Sequence, residues 1–297
     1  MAGIPREALI IIRKDLIMGI TVGIDIGGST TKIVGFRGSE MLKPVQISSN
    51  NPVASIFGAF GKFLYDNELE LSEVSQVNLS GVGASDVDRP IYGLPTFKVD
   101  EFTANGLGGS YFAEGKDNFM VVSMGTGTSY VGVKNGVPRH LGGIGIGGGT
   151  IIGLSKYILN TNEIDRIEEM AQQGDIRRID LQVGDISKEQ LPGLRPDTTA
   201  ASFGKSSSRA SQEDKAAGIV HMVLEDIFQT AALIANGIGI KDFVMIGALT
   251  NLVECGYVMD AVKVLFPDFN FIIPEEGEYG TAIGTALARD GSLKEIR

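Results

Sequence analysis

The chain has 297 residues, 43% of them hydrophobic and 21% charged, with a formal net charge of −10. This length allows two compact lobes with full hydrophobic cores, whereas the acidity argues against nucleic acid as a partner, because nucleic-acid phosphates are bound by a basic face. Its one cysteine, Cys255, excludes an intrachain disulfide and a multi-cysteine zinc site, which is typical of a protein kept in the reducing cytoplasm.

Residues 1–17 precede the first predicted strand and include a short apolar run at residues 8–12, followed at once by Arg13 and Lys14. A signal peptide would have a longer apolar region and a small-residue cleavage site. No run in the chain approaches the ~20 apolar residues that cross a bilayer, so we expect no membrane segment. We interpret residues 1–17 as a leader, either upstream of a true start at Met18 or docked on the protein as an arm.

The first predicted elements are two strands, at residues 20–26 and 32–37, joined by a tight turn of glycine and hydroxyl residues. Glycines let backbone N–H groups approach a polyphosphate closely. The hydroxyls and Lys32 can donate to phosphate oxygens, while Asp25 can hold a hydrated Mg²⁺. The alternative is an ordinary glycine-rich hairpin with a solvated lysine. The pattern favours a phosphate-binding hairpin.

The next predicted elements are a strand at 43–47, an amphipathic helix at 54–66 and strands at 77–83 and 97–101. A helix begins near Thr103. Glu101 stands at this strand–helix junction, where it is either a catalytic carboxylate or an acidic residue favoured by the helix dipole. The order of elements is that of one ribonuclease-H-like lobe, which we place at residues 18–115.

A second strand, turn and strand follow at residues 119–124, 125–128 and 129–133, about one hundred residues after the first. We interpret them as an internal structural repeat. Two such turns facing each other across a cleft would hold the two ends of one polyphosphate. The predicted fold class is therefore α/β, with a second ribonuclease-H-like lobe at residues 116–297 and a nucleotide cleft between the lobes.

A glycine run at residues 142–149 leads directly into a predicted helix. Such a run is a natural anion site, because free N–H groups and the positive end of the helix dipole point outward. A dinucleotide-binding loop is the weaker interpretation, since the run lacks a βαβ setting.

The rest of the second lobe is predicted as four helices, two strands and a long excursion at residues 179–200. The helix at 212–236 carries His221, which we interpret as a satisfied helix residue rather than a ligand. The strand at 242–248 ends in Gly247 and Ala248, a turn suited to lie against an adenine ring. In the last helix, at 280–289, small residues at every second position from Gly280 to Ala286 are expected to make one side small.

Together these motifs resemble the actin, sugar-kinase and heat-shock ATPase superfamily and, within it, the type II pantothenate kinases. The resemblance extends from about residue 19 to residue 287. It is carried, in family order, by residues 25–32, 101–104, 125–129, 142–149, 170–175, 199–204 and 280–286.

The resemblance implies ATP-dependent phosphorylation of the primary hydroxyl of pantothenate, the first step of coenzyme A biosynthesis, with ATP and Mg²⁺ as cofactors. It assigns the catalytic base to Glu101 and suggests a homodimer formed through the second lobe, while the metal stays with Asp25 from the chemistry of the hairpin. With the turns described above, the expected nucleotide-binding residues are Asp25, Gly27, Gly28, Ser29, Thr30, Thr31, Lys32, Thr126, Gly147, Gly148, Gly149, Thr150, Ile151, Ile152, Gly247 and Ala248.

Two positions depart from the family pattern. Ala248 stands where bacterial members commonly carry a serine beside the nucleotide. His140 stands where the family has an arginine that pairs with the substrate carboxylate, and Arg139 precedes it. Because neighbouring residues of a strand face opposite sides, either a local bulge brings Arg139 into the substrate site or His140 takes the role.

Three other functions remain open at this point. A sugar or amino-sugar kinase of the same superfamily commonly uses an aspartate base and often carries a cysteine-rich zinc motif. An activator ATPase of reductive dehydratases needs cysteines for an iron–sulfur cluster. A nucleotide-gated actin-like protein without enzymatic activity would keep both phosphate turns but would not need Glu101.

Overall fold

Two mixed β-sheets with the same strand order form the framework of the protein. The structure, a computed structural model, describes residues 19–48, 51–189, 194–205, 209–289 and 291–296. The predicted leader at residues 1–17 lies outside the described residues.

The first sheet has seven strands in the order β14-β6-β5-β1-β2-β3, with β4 paired to β2. Strands β1, β5 and β6 run parallel, and β2 is antiparallel to β1. The bounds are β1 Ile20–Ile26, β2 Thr30–Arg37, β3 Glu40–Met41, β4 Val45–Ser48, β5 Val74–Ser80, β6 Thr96–Val99 and β14 Leu293–Glu295.

The second sheet has five strands in the order β13-β12-β7-β8-β9. Its parallel strands β7, β12 and β13 correspond to β1, β5 and β6, and β8 is antiparallel to β7 as β2 is to β1. This repetition confirms the predicted two-lobed fold class. The bounds are β7 Asn118–Met124, β8 Thr128–Lys134, β9 Val137–Ile144, β12 Asp242–Ile246 and β13 Asn270–Ile272, and a separate pair joins β10 Leu181–Gln182 to β11 Thr199–Ala201.

Eight α-helices cover the sheets in the described part of the chain. Their bounds are α1 Pro52–Asp66, α2 Glu101–Phe112, α3 Gly148–Ile158, α4 Ile164–Gln173, α5 Val183–Ile186, α6 Gln212–Ile238, α7 Val253–Leu265 and α8 Gly280–Leu287. Helix α2 begins two residues earlier than predicted, because the Asp100 side chain accepts the N–H of Thr103 and so caps the helix just before Glu101.

Helix α6 is the central helix of the second lobe. Ser211 and Asp214 form a reciprocal capping box at its start, and Gly239, with φ 74°, ends it in the left-handed conformation. Among the described residues it is the one helix long and apolar enough to cross a membrane, but 56% of its apolar window is buried. Its side chains Ile227 and Phe228 are fully buried against the second sheet, so α6 is a core helix.

Helices α2 and α8 cross each other between the two sheets. A Cβ on Gly284 would lie 1.8 Å from the carbonyl oxygen of Ala104 in α2, and a Cβ on Gly108 would lie 1.9 Å from that of Gly280. Only glycine permits this approach. Ala282 and Ala286 instead pack against Gly23 of β1. The prediction that these small residues share one side of the last helix is therefore wrong: the two pairs contact different neighbours.

The end of the chain returns to the first sheet. Helix α8 packs on β1, β2 and β5, and β14, which the sequence pattern did not predict, pairs antiparallel with β6. Helix α2, although it follows β6 directly, packs against β8 and β9 of the second sheet. Helix α2, which follows a strand of the first sheet, therefore packs on the second sheet, and α8, which follows the second sheet, packs on the first.

Candidate active site

The two predicted phosphate turns face each other. In the first, the N–H of Gly27 donates to the carbonyl of Thr30 at 3.0 Å and leaves Gly28 and Ser29 at the tip. The second turn occupies residues 125–127, between β7 and β8. A Cβ on Gly28 would lie 3.6 Å from Thr126 Oγ1. A polyphosphate between the turns can thus be reached from both lobes.

The residues of the first hairpin differ in solvent exposure: the tip is exposed, whereas the residues that follow it in β2 are buried. Gly28 and Ser29 are exposed, and Thr30 is half-buried. Thr31 is fully buried and Lys32 is 6% exposed, because both already belong to β2. The hydroxyl of Thr31, whose Oγ1 has no hydrogen-bond partner in the described structure, is enclosed in protein. A side-chain contact from Thr31 to phosphate is therefore not supported.

Asp25 and Lys32 are directly opposite each other on β1 and β2. Burial raises the pKa of Asp25, and the charge of Lys32 partly offsets this. Burial also lowers the pKa of Lys32, while the charges of Asp25 and Glu278 raise it. The pKa of Lys32 is lowered overall, because burial outweighs the charges of Asp25 and Glu278.

Glu101, the first residue of α2, lies within electrostatic reach of Asp25. Burial raises the pKa of Glu101, and the charges of Asp25 and Asp100 raise it further. A partly desolvated carboxylate with a raised pKa is suited to accept a proton near neutral pH. The predicted base and the predicted metal ligand are thus electrostatically coupled.

The residues present fit Mg²⁺. No group of three or more His, Cys, Asp or Glu side chains in the described ranges forms a complete metal cage. Mg²⁺ in phosphoryl-transfer sites is held by one or two carboxylates together with phosphate oxygens and water. Asp25 offers one such carboxylate. Its Oδ1 atom is not crowded by Gly81, because glycine lacks the Cβ atom that would lie 2.6 Å from that oxygen.

The glycine run contributes differently from its prediction. The N–H groups of Gly148 and Gly149, at the start of α3, donate to the carbonyls of Gly125 and Thr126 at 2.8 and 2.9 Å. These amides therefore do not point outward as free anion donors. They hold the second phosphate turn in place instead.

The next amides of α3 are also used within the protein. Those of Thr150 and Ile151 donate to the carbonyl of Gly147, and the N–H of Gly147 donates to Thr150 Oγ1 at 3.2 Å. Ile151 is fully buried and Ile152 is half-buried. Direct contact with a nucleotide is therefore restricted to the exposed surface of this turn.

Gly247 and Ala248 follow β12 beside the start of α3. Gly247, with φ 99°, packs on Met124, where a Cβ would lie 2.4 Å from the carbonyl oxygen. Leu249 reaches Gly148, and Ala248 is exposed. The predicted adenine turn therefore adjoins the second phosphate turn.

A β-bulge in β9 decides which of the two predicted substrate residues faces α2. Tyr130 of β8 pairs with Gly142, whereas Val131 pairs with His140, so Leu141 is an extra residue. The inserted residue shifts the alternation of faces by one position.

As a consequence, His140 shares the α2 face. Its ring stacks on that of Phe102, with centroids 3.7 Å apart and planes at 18°. Arg139 pairs with Gly132 and belongs to the opposite face. A bulge is present, but it brings His140 rather than Arg139 to the side of Glu101.

Sequence reasoning missed three residues of the site. Phe102 stacks on His140, and the charge of Glu278 acts on Lys32. Asn105 is buried in the middle of α2, with hydrogen bonds to β8 of the second sheet and to α8, which packs on the first sheet. The available signal was the spacing of Asn105, four residues after Glu101 and hence on the same helix face.

A cavity of about 600 Å³ lies outside the cleft, between α4, α6 and α7. His221 lines it and is satisfied by protein: its Nδ1 lies 2.8 Å from Glu254 Oε1 and its Nε2 lies 3.4 Å from Thr199 Oγ1. This agrees with the interpretation of His221 as a satisfied helix residue.

The profile of the Fumble family matches residues 105–261, more than half of the chain. The type II pantothenate kinase of Bacillus cereus (strain G9842) is 27% identical over 276 residues, which cover 90% of this chain and 97% of that protein. That of Staphylococcus aureus (strain USA300) is 28% identical over 276 residues, with coverage of 89% and 97%.

Solved structures share the architecture. The activator of the 2-hydroxyisocaproyl-CoA dehydratase from Clostridium difficile, with bound ADPNP, has a TM-score of 0.63 at 17% identity and covers 90% of this chain and 93% of its own. The ROK hexokinase from Thermus thermophilus has a TM-score of 0.51 at 14% identity, with coverage of 90% and 97%. At these identities the likeness establishes the fold alone.

Proposed function

The chain belongs to the Fumble family, and from this we propose that it is a pantothenate kinase that uses ATP and Mg²⁺. The observation that carries the proposal is the close approach of Gly28 to Thr126 across the cleft, with Glu101 electrostatically coupled to Asp25 at the base of the same hairpin. Two similar proteins over about 90% of the chain are named type II pantothenate kinases.

In the proposed reaction Glu101 is the general base. Its carboxylate accepts the proton of the primary hydroxyl while the hydroxyl oxygen attacks the γ-phosphorus, and the bond to the β-phosphate oxygen breaks to release ADP. The hairpin tip at Gly28 and Ser29 and the turn at Thr126 position the phosphates. Mg²⁺ at Asp25 would neutralise charge on the phosphate oxygens.

We assign recognition of the substrate carboxylate to His140 rather than to Arg139. His140 is exposed, lies on the α2 face and is oriented by its stacking on Phe102. An imidazole ring offers one N–H donor towards the carboxylate, so it is a weaker partner than a guanidinium for two carboxylate oxygens.

The remaining expectations from the sequence are also proposals. We place the chain in the cytoplasm and expect a homodimer through the second lobe. Large exposed side chains there, Tyr157, Leu233 and Tyr257, are consistent with an interface. Light scattering on the purified protein measures the oligomeric state.

The likeness to the dehydratase activator extends to the fold only. The single cysteine is buried at 1% exposure in α7, so the chain has no set of thiolates for an iron–sulfur cluster. No observation favours this second activity.

An ADP-release assay tests the proposal, with pantothenate, common hexoses and N-acetylglucosamine offered side by side. We expect turnover with pantothenate alone. Glu101→Gln is expected to abolish transfer with nucleotide binding preserved, while Glu114→Gln, at an exposed turn after α2, is the matched control and keeps activity. Turnover of a sugar, or full activity of Glu101→Gln, would contradict the assignment.

A further inference from the structure

A chain of buried hydrogen bonds joins the two lobes directly behind the cleft. Asn105 of α2 donates from Nδ2 to Ser129 Oγ of β8 at 3.3 Å, and its Oδ1 accepts from Thr281 Oγ1 of α8 at 2.7 Å. Asn105 is fully buried. One side-chain amide thus connects the strand after the second phosphate turn to the helix that packs on the first sheet.

The chain of bonds continues into the first lobe. Thr285 Oγ1 donates to the carbonyl of Thr281 at 2.7 Å. Because that proton is used, the 2.5 Å contact between Ser80 and Thr285 has Ser80 as the donor. Asn78 donates to the carbonyl of Thr285 at 2.9 Å. The first-lobe end of the network therefore lies on β5.

Both ends of this network adjoin the reactive groups. Ser80 pairs in register with Asp25. Ser129 lies three residues after Thr126 and is the second residue of β8. Asn105 lies one helical turn after Glu101 on the same face of α2. A displacement of α2 relative to either sheet must break a bond of Asn105.

We propose that Asn105 is a positioning residue, which fixes α2 between the lobes so that Glu101 keeps its distance to the phosphate group held at the Thr126 turn. This inference rests on the proposed kinase reaction. The physical reason is that a misplacement of about 1 Å at a catalytic group costs on the order of 100-fold in rate. The amide satisfies a donor and an acceptor at once, which no aliphatic side chain can do.

Single variants separate the two connections. Thr281→Val removes the bond to α8 with little change in shape, and Ser129→Ala removes the bond to β8. We expect each to lower kcat about tenfold and Asn105→Ala to lower it about 100-fold, with KM for ATP changed less than twofold. Adding Ser129→Ala to Asn105→Ala should cost nothing more, because the bond is already lost.

The matched control is Ser110→Ala, which removes a hydroxyl hydrogen bond to the carbonyl of Gly106 on the same helix without touching the network. It is expected to keep the wild-type kcat. A purely structural role predicts a different result: a lower Tm with kcat at 25 °C within twofold of wild type for Asn105→Ala. That result would overturn the proposal.

A second measurement is independent of the phosphate acceptor. Hydrogen exchange of α2 amides is recorded with and without Mg·ADP. We expect nucleotide to increase protection in the wild type and in Ser110→Ala, and to have less effect in Asn105→Ala and Ser129→Ala. If pantothenate is not turned over, the proposed function fails while this measurement still decides the role of Asn105. Equal protection in all four proteins would refute it.

Discussion

Gly28 lies opposite Thr126 across the cleft, so close that a Cβ on Gly28 would be 3.6 Å from Thr126 Oγ1. This is ordinary van der Waals contact, and an alanine therefore fits without displacing the protein. It would, however, occupy space between the two turns. An alanine at position 28 is therefore expected to weaken nucleotide binding without lowering the stability of the protein.

Gly28→Ala is expected to raise KM for ATP by about tenfold, equivalent to about 1.4 kcal/mol of lost binding, and to leave Tm within a degree or two of wild type. Gly61→Ala, in α1 with open space around its Cβ, is the control and should not change KM. Initial rates measured over a range of ATP concentrations give the KM of each variant and of the wild type. An unchanged KM for Gly28→Ala would mean that phosphate does not pass between the turns.

The crossing of α2 and α8 predicts a large stability effect at Gly284. An added methyl group would lie 1.8 Å from the Ala104 carbonyl oxygen, so the helices must separate. We expect Gly284→Ala to destabilise the protein by about 2–3 kcal/mol. Gly256→Ala, inside α7 with nothing within 4 Å, should instead stabilise by about 0.5–1 kcal/mol. Urea unfolding of both variants measures the difference, and equal stabilities would contradict the close crossing.

His221 predicts how stability depends on pH. Burial lowers the pKa of His221, but its hydrogen bond to Glu254 and the charges of Glu225, Glu254 and Asp180 outweigh burial and raise the pKa overall. A raised pKa means that the folded protein binds the proton more tightly. The stabilisation is therefore complete below the unfolded value of about 6.5 and is lost as pH rises through the folded value.

His221→Asn should accordingly lower Tm more at about pH 6 than at about pH 9, since the charged hydrogen bond, on the order of 1–3 kcal/mol, is present only at the lower pH. Thermal unfolding of both proteins at the two pH values provides the test. A Tm difference that grows toward high pH would contradict the assigned charge state.

Cys255 is expected to be unreactive in the folded protein. It is 1% exposed, and burial, followed by the charge of Glu254, raises the pKa of its thiol to about 12. Because the thiolate is the reactive form, a thiol-specific reagent at pH 8 should label the protein only after denaturant is added. Rapid stoichiometric labelling of the native protein would show that α7 opens readily.

The first hairpin, the repeated turn and the strand–helix junction at Glu101 could be predicted from the sequence alone. Each depends on local chemistry: glycines that allow close backbone approach, hydroxyl residues beside them, and apolar runs with the period of buried strands. The order of elements repeats along the chain for the same reason, and it was sufficient to predict two lobes of one topology.

Only the tertiary structure decided the contacts between distant segments. The bulge at Leu141, which selects His140 over Arg139, depends on pairing between strands and not on the residue types in β9. The N–H groups of Gly148 and Gly149 donate hydrogen bonds to a turn more than twenty residues earlier in the chain and are not free to bind phosphate. Asn105 gains its partner Thr281 only when α8 packs against α2, 176 residues later in the chain. Local pattern determines which groups a segment can offer, whereas long-range packing determines which of them remain free.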